Sequence, residues 1–168
     1  EQHLDMVWRQ ARRDARPLSL AIVDVDQFKA YNEHYGHQQG DHALQEVAGL
    51  LVKIANRPLD HVARIDGDRF AVLWFDAAPK AALGLSRRLL VDVRQLGILH
   101  GAQGERAYLS VSIGLHTHVP QRGEDPEGLF TRAGTKVFDC LFQHAEVEVR
   151  IFAISGNTGS AGAQKQAQ

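Results

Sequence analysis

The sequence predicts an α+β sandwich, with helices packed on a mainly antiparallel sheet, and three observations carry that reading. Aliphatic and β-branched runs such as Leu18–Val25 are interspersed with stretches whose apolar residues recur every three or four positions. A tight Asp66-Gly67-Asp68 turn joins two short strand-like runs at residues 62–65 and 70–75, which makes those neighbours a hairpin. The 168 residues, 44% apolar and 23% charged, suit one domain with a single sizeable core.

Taken in order, residues 3–13 read as a helix, with Leu4, Val7, Trp8 and Ala11 at helical spacing and Pro17 closing the segment. Leu18–Val25 has the dense pattern of a buried strand. Phe28–Tyr35 is a short helix closed by Gly36. Residues 41–55 form a clearer one, with Leu44, Val47, Ala48, Leu51 and Ile54 on one stripe, broken by Asn56-Arg57-Pro58. After the hairpin, residues 78–96 are helical again, and residues 108–116 alternate Tyr108, Ser110 and Ser112 against Leu109, Val111 and Ile113. A last helix over residues 129–142 carries Phe130, Ala133, Val137 and Leu141, and residues 148–154 supply a fifth strand. The domain is expected to span residues 1–154. Residues 155–168, rich in Gly, Ala, Ser and Gln, bury too little to stay ordered. Trp8 and Trp74 suit core packing.

The formal net charge of −1 gives no global basic field for nucleic acid or an anionic membrane, so an anionic ligand must be gripped by local arginines. Cys140, the only cysteine, excludes an internal disulfide and a cysteine-built metal site, and a reducing, cytoplasmic setting is expected. No apolar run is long enough to span a bilayer and no signal-peptide pattern opens the chain. The chain starts abruptly in a charged helical stretch, which is compatible with a longer protein carrying a sensor, effector or membrane segment.

The chemistry concentrates where the first strand ends. Asp24-Val25-Asp26-Gln27-Phe28-Lys29-Ala30-Tyr31-Asn32 runs on through Gly36-His37 to Gly40-Asp41, so a strand end delivers carboxylates next to a helix start. Alone, Asp24 and Asp26 would be read as caps of that helix. The full spacing, Asp-x-Asp-x-Phe-Lys-x-x-Asn and then Gly-His-x-x-Gly-Asp, resembles the first half of the GGDEF family, the diguanylate cyclases. Arg64-Ile65-Asp66-Gly67-Asp68-Arg69-Phe70 stands where that family has Arg-x-Gly-Gly-Asp/Glu-Glu-Phe, and Ser110-Val111-Ser112-Ile113-Gly114 matches its following strand. The resemblance covers about Leu18 to Cys140.

The resemblance implies a five-stranded sheet flanked by helices in a ferredoxin-like, nucleotidyl-cyclase-like arrangement. It also implies synthesis of cyclic di-GMP from two GTP, one held by each domain of a transient homodimer. Asp24 and Asp68 would be metal carboxylates, with the Val25 carbonyl as a further ligand. Such a set suits Mg²⁺, which takes few protein oxygens plus substrate phosphates. Asn32 and Asp41 match the residues that read guanine, Gly36 and Gly40 would allow close approach around the base, and Lys29 would support the phosphates. His37 belongs to the family's Gly-His turn. Arg57-Pro58-Leu59-Asp60 has the Arg-x-x-Asp form of the inhibitory site, which binds a cyclic di-GMP dimer, and Arg88 aligns with a secondary arginine there. An arginine fork fits guanine O6 and N7 as well as phosphate. The plainer reading of Arg57 and Asp60 is a solvated turn with a weak ion pair.

The pattern also breaks. Asp66 replaces the first signature glycine, putting a carboxylate where the backbone meets GTP, and Arg69 replaces the signature glutamate, reversing charge beside the metal site. The lysine and arginine that hold triphosphate oxygens in relatives fall at Leu141 and Ala145. The family's Asp-x-Leu-Thr-Gly-Leu-Pro-Asn-Arg lead-in is missing, which truncation would explain. Arg69 either pairs with Asp66 across the hairpin or contacts phosphate, and the pairing is the favoured reading. His116 and His118 share one side of a strand, and two ligands without a third argue for a plain surface. The expectation is therefore a catalytically impaired receptor or regulatory module for cyclic di-GMP. An active cyclase and a GTP-binding regulatory domain stand as alternatives.

Overall fold

The structure, a computed structural model, describes residues 2–101, 107–143 and 151–155. Its elements are α1 (Gln2–Asp14), β1 (Leu18–Val25), α2 (Phe28–Tyr35), α3 (His37–Ile54), β2 (His61–Asp66), β3 (Arg69–Phe75), α4 (Pro79–Gln95), β4 (Val111–His118), α5 (Glu127–Gln143) and β5 (Ile151–Ser155). The sheet order is β2-β3-β1-β4-β5, antiparallel except for the parallel β4–β5 pair.

The centre of the sheet follows from β1. Leu18, Leu20 and Ile22 pack into a core with Val7, Trp8 and Ala11 of α1, Leu73 of β3, and Leu129 and Ala133 of α5. Ala21, Val23 and Val25 face the opposite way, into a larger core with Val47 and Leu51 of α3, Trp74 of β3, Leu89 of α4 and Leu115 of β4. Both tryptophans are core residues, as the sequence predicts. Two layers of helix thus cover the two faces, because a strand apolar at nearly every position must be buried on both. Ser19, fully buried, is satisfied by donating to the Ala77 carbonyl at 2.8 Å and bonding the Thr117 hydroxyl at 2.6 Å.

Several boundaries differ from the sequence expectation. The helix expected from Asp41 starts at His37, because Gly36 turns the chain at φ +85° and Gly40 is accommodated inside the first turns. The strand expected from Tyr108 starts at Val111 and runs to His118, while Tyr108 makes only an isolated bridge to Leu99. Neither Asp24 nor Asp26 caps α2: its N-cap is Gln27, at φ +52°, with no side-chain hydrogen bond. The tail from residue 156, Ala145, and the first residues of the expected last strand lie outside the described residues, and so does the Leu141 side chain. Among the described residues no helix is long and apolar enough to cross a membrane.

Leu115 is fully buried in the larger core. Leu115→Ala is expected to destabilise the domain by about 2–5 kcal/mol, through lost transfer energy and a residual cavity, read as a lower urea midpoint at unchanged m-value.

Candidate functional site

Strand pairing brings the carboxylates together. Asp24, near the C-terminal end of β1, lies opposite Arg69 on β3 and Ser112 on β4. The hairpin tip folds back over that end, where the Val25 N–H donates to the Asp68 carbonyl at 3.2 Å. The Asp24 carboxyl is raised to about 6, first by burial and then by the charges of Asp68, Asp26 and Asp66, with Arg69 acting in the opposite direction. Asp26 is engaged structurally, since its two oxygens accept from the Ser110 hydroxyl at 2.5 Å and the Ser112 hydroxyl at 2.6 Å. That tie fixes the β1–α2 turn to β4. The serines' role was not visible in the sequence, where Ser-x-Ser read only as strand alternation.

The hairpin tip is clasped by two arginines. Arg64 donates through Nε at 2.8 Å and Nη2 at 2.5 Å to the Gly67 carbonyl. Arg69 grips Asp66 with both arms of its fork, Nε to Oδ1 at 2.8 Å and Nη2 to Oδ2. The hydrogen bonds to Arg69, then its charge, hold the Asp66 carboxyl below the usual range, while Asp66 in turn raises Arg69. The pairing expected across the hairpin is therefore present. The guanidinium still acts on Asp24 and Asp68 through its charge.

Asp24 and Asp68 converge with no third ligand: among the described residues no group of three or more His, Cys, Asp or Glu is placed to hold a metal. Two carboxylates beside a strand-end carbonyl suit a hard cation that retains water and phosphate oxygens, so the residues fit Mg²⁺ better than a transition metal. Asp24 is lifted first by burial and then by repulsion from its neighbouring carboxylates, and the repulsion is the part that such a cation would relieve. Arg69 already relieves part of it.

Asn32 and Asp41, the residues expected to read guanine, open onto two hollows along the hairpin. Asn32 lines one of about 410 Å³ with Phe28, Lys29, Gly67 and Asp68. Asp41 lines another of about 430 Å³ with Leu44, Val62, Arg64 and Phe70. The Asn32 Oδ1 is buried without a partner, and a Cβ on Gly40 would sit 1.8 Å from it, so Gly40 leaves room for that amide. A Cβ on Gly36 would meet no protein atom within 4 Å, and within the chain the glycine serves the positive φ of +85°. Lys29 is exposed and pairs loosely with Glu33 at 3.9 Å.

The Arg57–Asp60 turn is not a weak ion pair. Asp60 accepts the Arg57 N–H at 3.2 Å and the Phe75 N–H at 3.0 Å, and Arg57 Nη1 reaches the Phe75 carbonyl at 3.4 Å. The carboxylate latches the turn to the end of β3 and leaves the Arg57 side chain exposed. Arg88 pairs with Asp92 at 3.5 Å on α4, and no hydrogen bond or ion pair joins it to the turn.

Two further features were missed. His100 is fully buried and its Nε2 contacts the Gln27 carbonyl at 3.3 Å, steadying the turn before α2. His116 and His118 do not form a plain surface. α1 and α5 cover that side of β4, so His116 is buried and His118 stacks on Trp8 and bonds Glu124 at 2.6 Å. His37, as expected of a turn residue, opens α3 directly after Gly36.

A mainly antiparallel sheet covered by helices, with Asp24 and the Asp66-Gly67-Asp68 hairpin at one end of its central strand, is the arrangement to compare with known domains. The family model described as "Diguanylate cyclase, GGDEF domain" matches residues 1–142, and the chain belongs to that family. Diguanylate cyclase A of Treponema denticola is 33% identical over 101 residues, 60% of this chain and 26% of that protein. Response regulator PleD of Caulobacter vibrioides is 31% identical over 137 residues, 80% of this chain and 29% of that protein. The chain thus spans less than a third of the length of these curated relatives. Among solved structures, the GGDEF domain of DgcB from Caulobacter crescentus, in complex with c-di-GMP, superposes with a TM-score of 0.78 at 25% identity, covering 90% of this chain and 86% of that one.

The lowered Asp66 carboxyl contributes stability that is present above its ordinary value of 3.8 and lost as pH falls through the folded value. In Arg69→Ala, the Asp66 carboxyl is expected to titrate upward into the ordinary range by NMR, and the acid side of the Tm-versus-pH curve should become shallower.

Proposed function

We propose that this domain is a catalytically impaired GGDEF module that senses cyclic di-GMP, with Arg57 as the base- and phosphate-gripping residue, Asp60 shaping its turn and Arg88 as a secondary contact. The observation that carries the proposal is the Arg69–Asp66 clasp, which fills the signature hairpin with a closed ion pair. An enzyme of this kind needs charge-stabilising groups preorganised around the transferring phosphoryl, and loss of one such group costs roughly 10²–10³ in rate. Leu141 and Ala145 in place of phosphate-holding cations add to that deficit. The Arg57 turn, by contrast, is pre-ordered by its bonds to Phe75 and presents an exposed guanidinium. A guanidinium fork of this kind reads guanine O6 and N7 bidentately.

In the longer protein, the module would relay occupancy to an attached sensor or effector domain, in a reducing cytoplasmic setting. Isothermal titration of the chain with cyclic di-GMP is expected to show saturable binding that Arg57→Ala weakens at least tenfold. Unchanged affinity in that variant sinks the reading.

A second reading, a working cyclase or GTP-binding domain, is favoured by one observation: Asp24 and Asp68 still converge, with the unpartnered Asn32 amide near them. Asn32 and Asp41 would orient guanine, Lys29 would face phosphate, and Asp24, Asp68 and the Val25 carbonyl would hold Mg²⁺. That ion, when bound, would offset charge on the phosphates. The 3′-hydroxyl of one GTP would attack the α-phosphate of the other across a homodimer, losing its proton to solvent and breaking the α–β anhydride to release pyrophosphate, and the reciprocal attack would close the ring. Incubation with GTP and Mg²⁺ is expected to yield no cyclic product above background, and turnover within tenfold of an Asp66→Gly/Arg69→Glu variant would overturn the impairment.

A further inference from the structure

Four residues lie side by side across four adjacent strands at the hairpin end of the sheet. Asp66 on β2 pairs with Arg69 on β3, Arg69 pairs with Asp24 on β1, and Asp24 pairs with Ser112 on β4. Directly opposite residues of neighbouring strands point to the same face, about one strand spacing or roughly 5 Å apart. Arg69 therefore stands between two carboxylates, with Asp68 of the turn next to it in the chain. Strand alternation puts this row on the face that carries Leu20, Ile22, Ala71 and Leu73.

The guanidinium in the middle of the row is held in place. Arg69 is half-buried, and both oxygens of Asp66 accept from its fork. Its charge acts on Asp24 and Asp68 as well as on Asp66. On Asp24 it acts more strongly than Asp66 does, so the clasp does not cancel it there. The hairpin tip, moreover, is closed by bonds within the protein. The Val25 N–H donates to the Asp68 carbonyl at 3.2 Å and Arg64 Nε donates to the Gly67 carbonyl at 2.8 Å. Asp68 is thus brought over the end of β1 without help from an ion.

We infer that Arg69 is a built-in counter-ion standing in for a divalent cation, that it makes the Asp24–Asp68 pair exclude Mg²⁺, and that Asp66 is the positioning residue that aims it. At equal distance a guanidinium repels a divalent ion twice as strongly as it attracts one carboxylate. A tethered charge also competes on favourable terms, because Mg²⁺ gives up its water reluctantly and Arg69 is already in place. Under the impaired-module reading, on which this role rests, capture of the divalent cation is the step that is lost.

The test is divalent-ion binding by the ¹⁵N-labelled full chain after EDTA treatment. It is read by Mn²⁺ broadening of the Val25 and Gly67 amide resonances and by melting in MgCl₂ against NaCl at matched ionic strength. The wild-type chain is expected to show no saturable broadening and no Mg²⁺-dependent rise in Tm. Arg69→Gln should acquire both, with Mn²⁺ affinity at least tenfold higher, while Arg69→Lys, which keeps the charge, should acquire neither. Arg69→Gln also releases Asp66 as a new ligand, so Asp66→Asn/Arg69→Gln is measured beside it and should still bind Mn²⁺ more tightly than wild type. Unchanged amide dispersion reports an intact fold in each variant. Wild-type Mn²⁺ affinity within tenfold of Arg69→Gln, a gain in Arg69→Lys equal to that in Arg69→Gln, or no gain in the double variant would each overturn the assignment. GTP turnover and cyclic di-GMP titration, which test the impaired-module reading, use neither readout, so the two can fail separately.

Discussion

The rest of the domain depends on β1 being buried on both faces and hydrogen-bonded on both edges. Every residue of Leu18–Val25 except Asp24 is buried. Alternate side chains feed two different cores, so a slip of one residue would exchange the contents of both. Register is consequently fixed by the whole apolar pattern and not by any polar contact. Asp24 inherits its place from that register. It is partly buried beside other carboxylates because the strand leaves it nowhere else to go, and the charge problem at this end of the sheet follows from packing decided elsewhere.

Three devices answer that charge problem, and they are unequal. Asp26 has both oxygens held by serine hydroxyls from the β4 side, a local solution that leaves its charge acting on Asp24. Asp66 is neutralised by Arg69, close enough to Asp24 for its charge to matter. Asp24 and Asp68 have no partner of their own among the described residues. A glutamate at position 69 would have added a further negative charge beside them and made a bound cation more necessary. An arginine there makes the cation less necessary. With Asp66 and Arg69 paired, the charge at the hairpin is partly self-compensated.

What could be read in the sequence followed the range of the forces involved. β1, the hairpin and the apolar stripe of α3 are local patterns, and periodicity and turn chemistry found them. Asp24, Asp68, Arg57 and the Asp66–Arg69 pair were singled out because each sits in a contiguous motif. The contacts that were missed all span distant segments: Ser110 and Ser112 on Asp26, His100 on Gln27, Asp60 on Phe75. Nothing in the neighbourhood of a serine announces which aspartate will lie across the sheet. His116 and His118 were misjudged for the same reason, since strand alternation gives their shared side but not the helices that cover it. The start of α3 failed differently. Gly36 was read as the end of α2, but α3 begins directly after it at His37 and runs through Gly40, which yields space to Asn32.

β3 connects the hairpin to the Arg57 turn, and its rigidity limits how the two can influence one another. Arg69 at its first position grips Asp66, and Phe75 at its last position offers its N–H and carbonyl to Asp60 and Arg57. Between them all five residues, Phe70 to Trp74, are buried and most are paired to strands on both sides. Close-packed segments of this kind transmit force but have no second arrangement to adopt. A ligand on the Arg57 turn therefore has little leverage to reshape the hairpin through the strand. Its effect must come from what it bridges, whether another element such as α4 or another copy of the domain. A receptor built on this sheet would signal by changing assembly, with the sheet itself acting as the fixed frame.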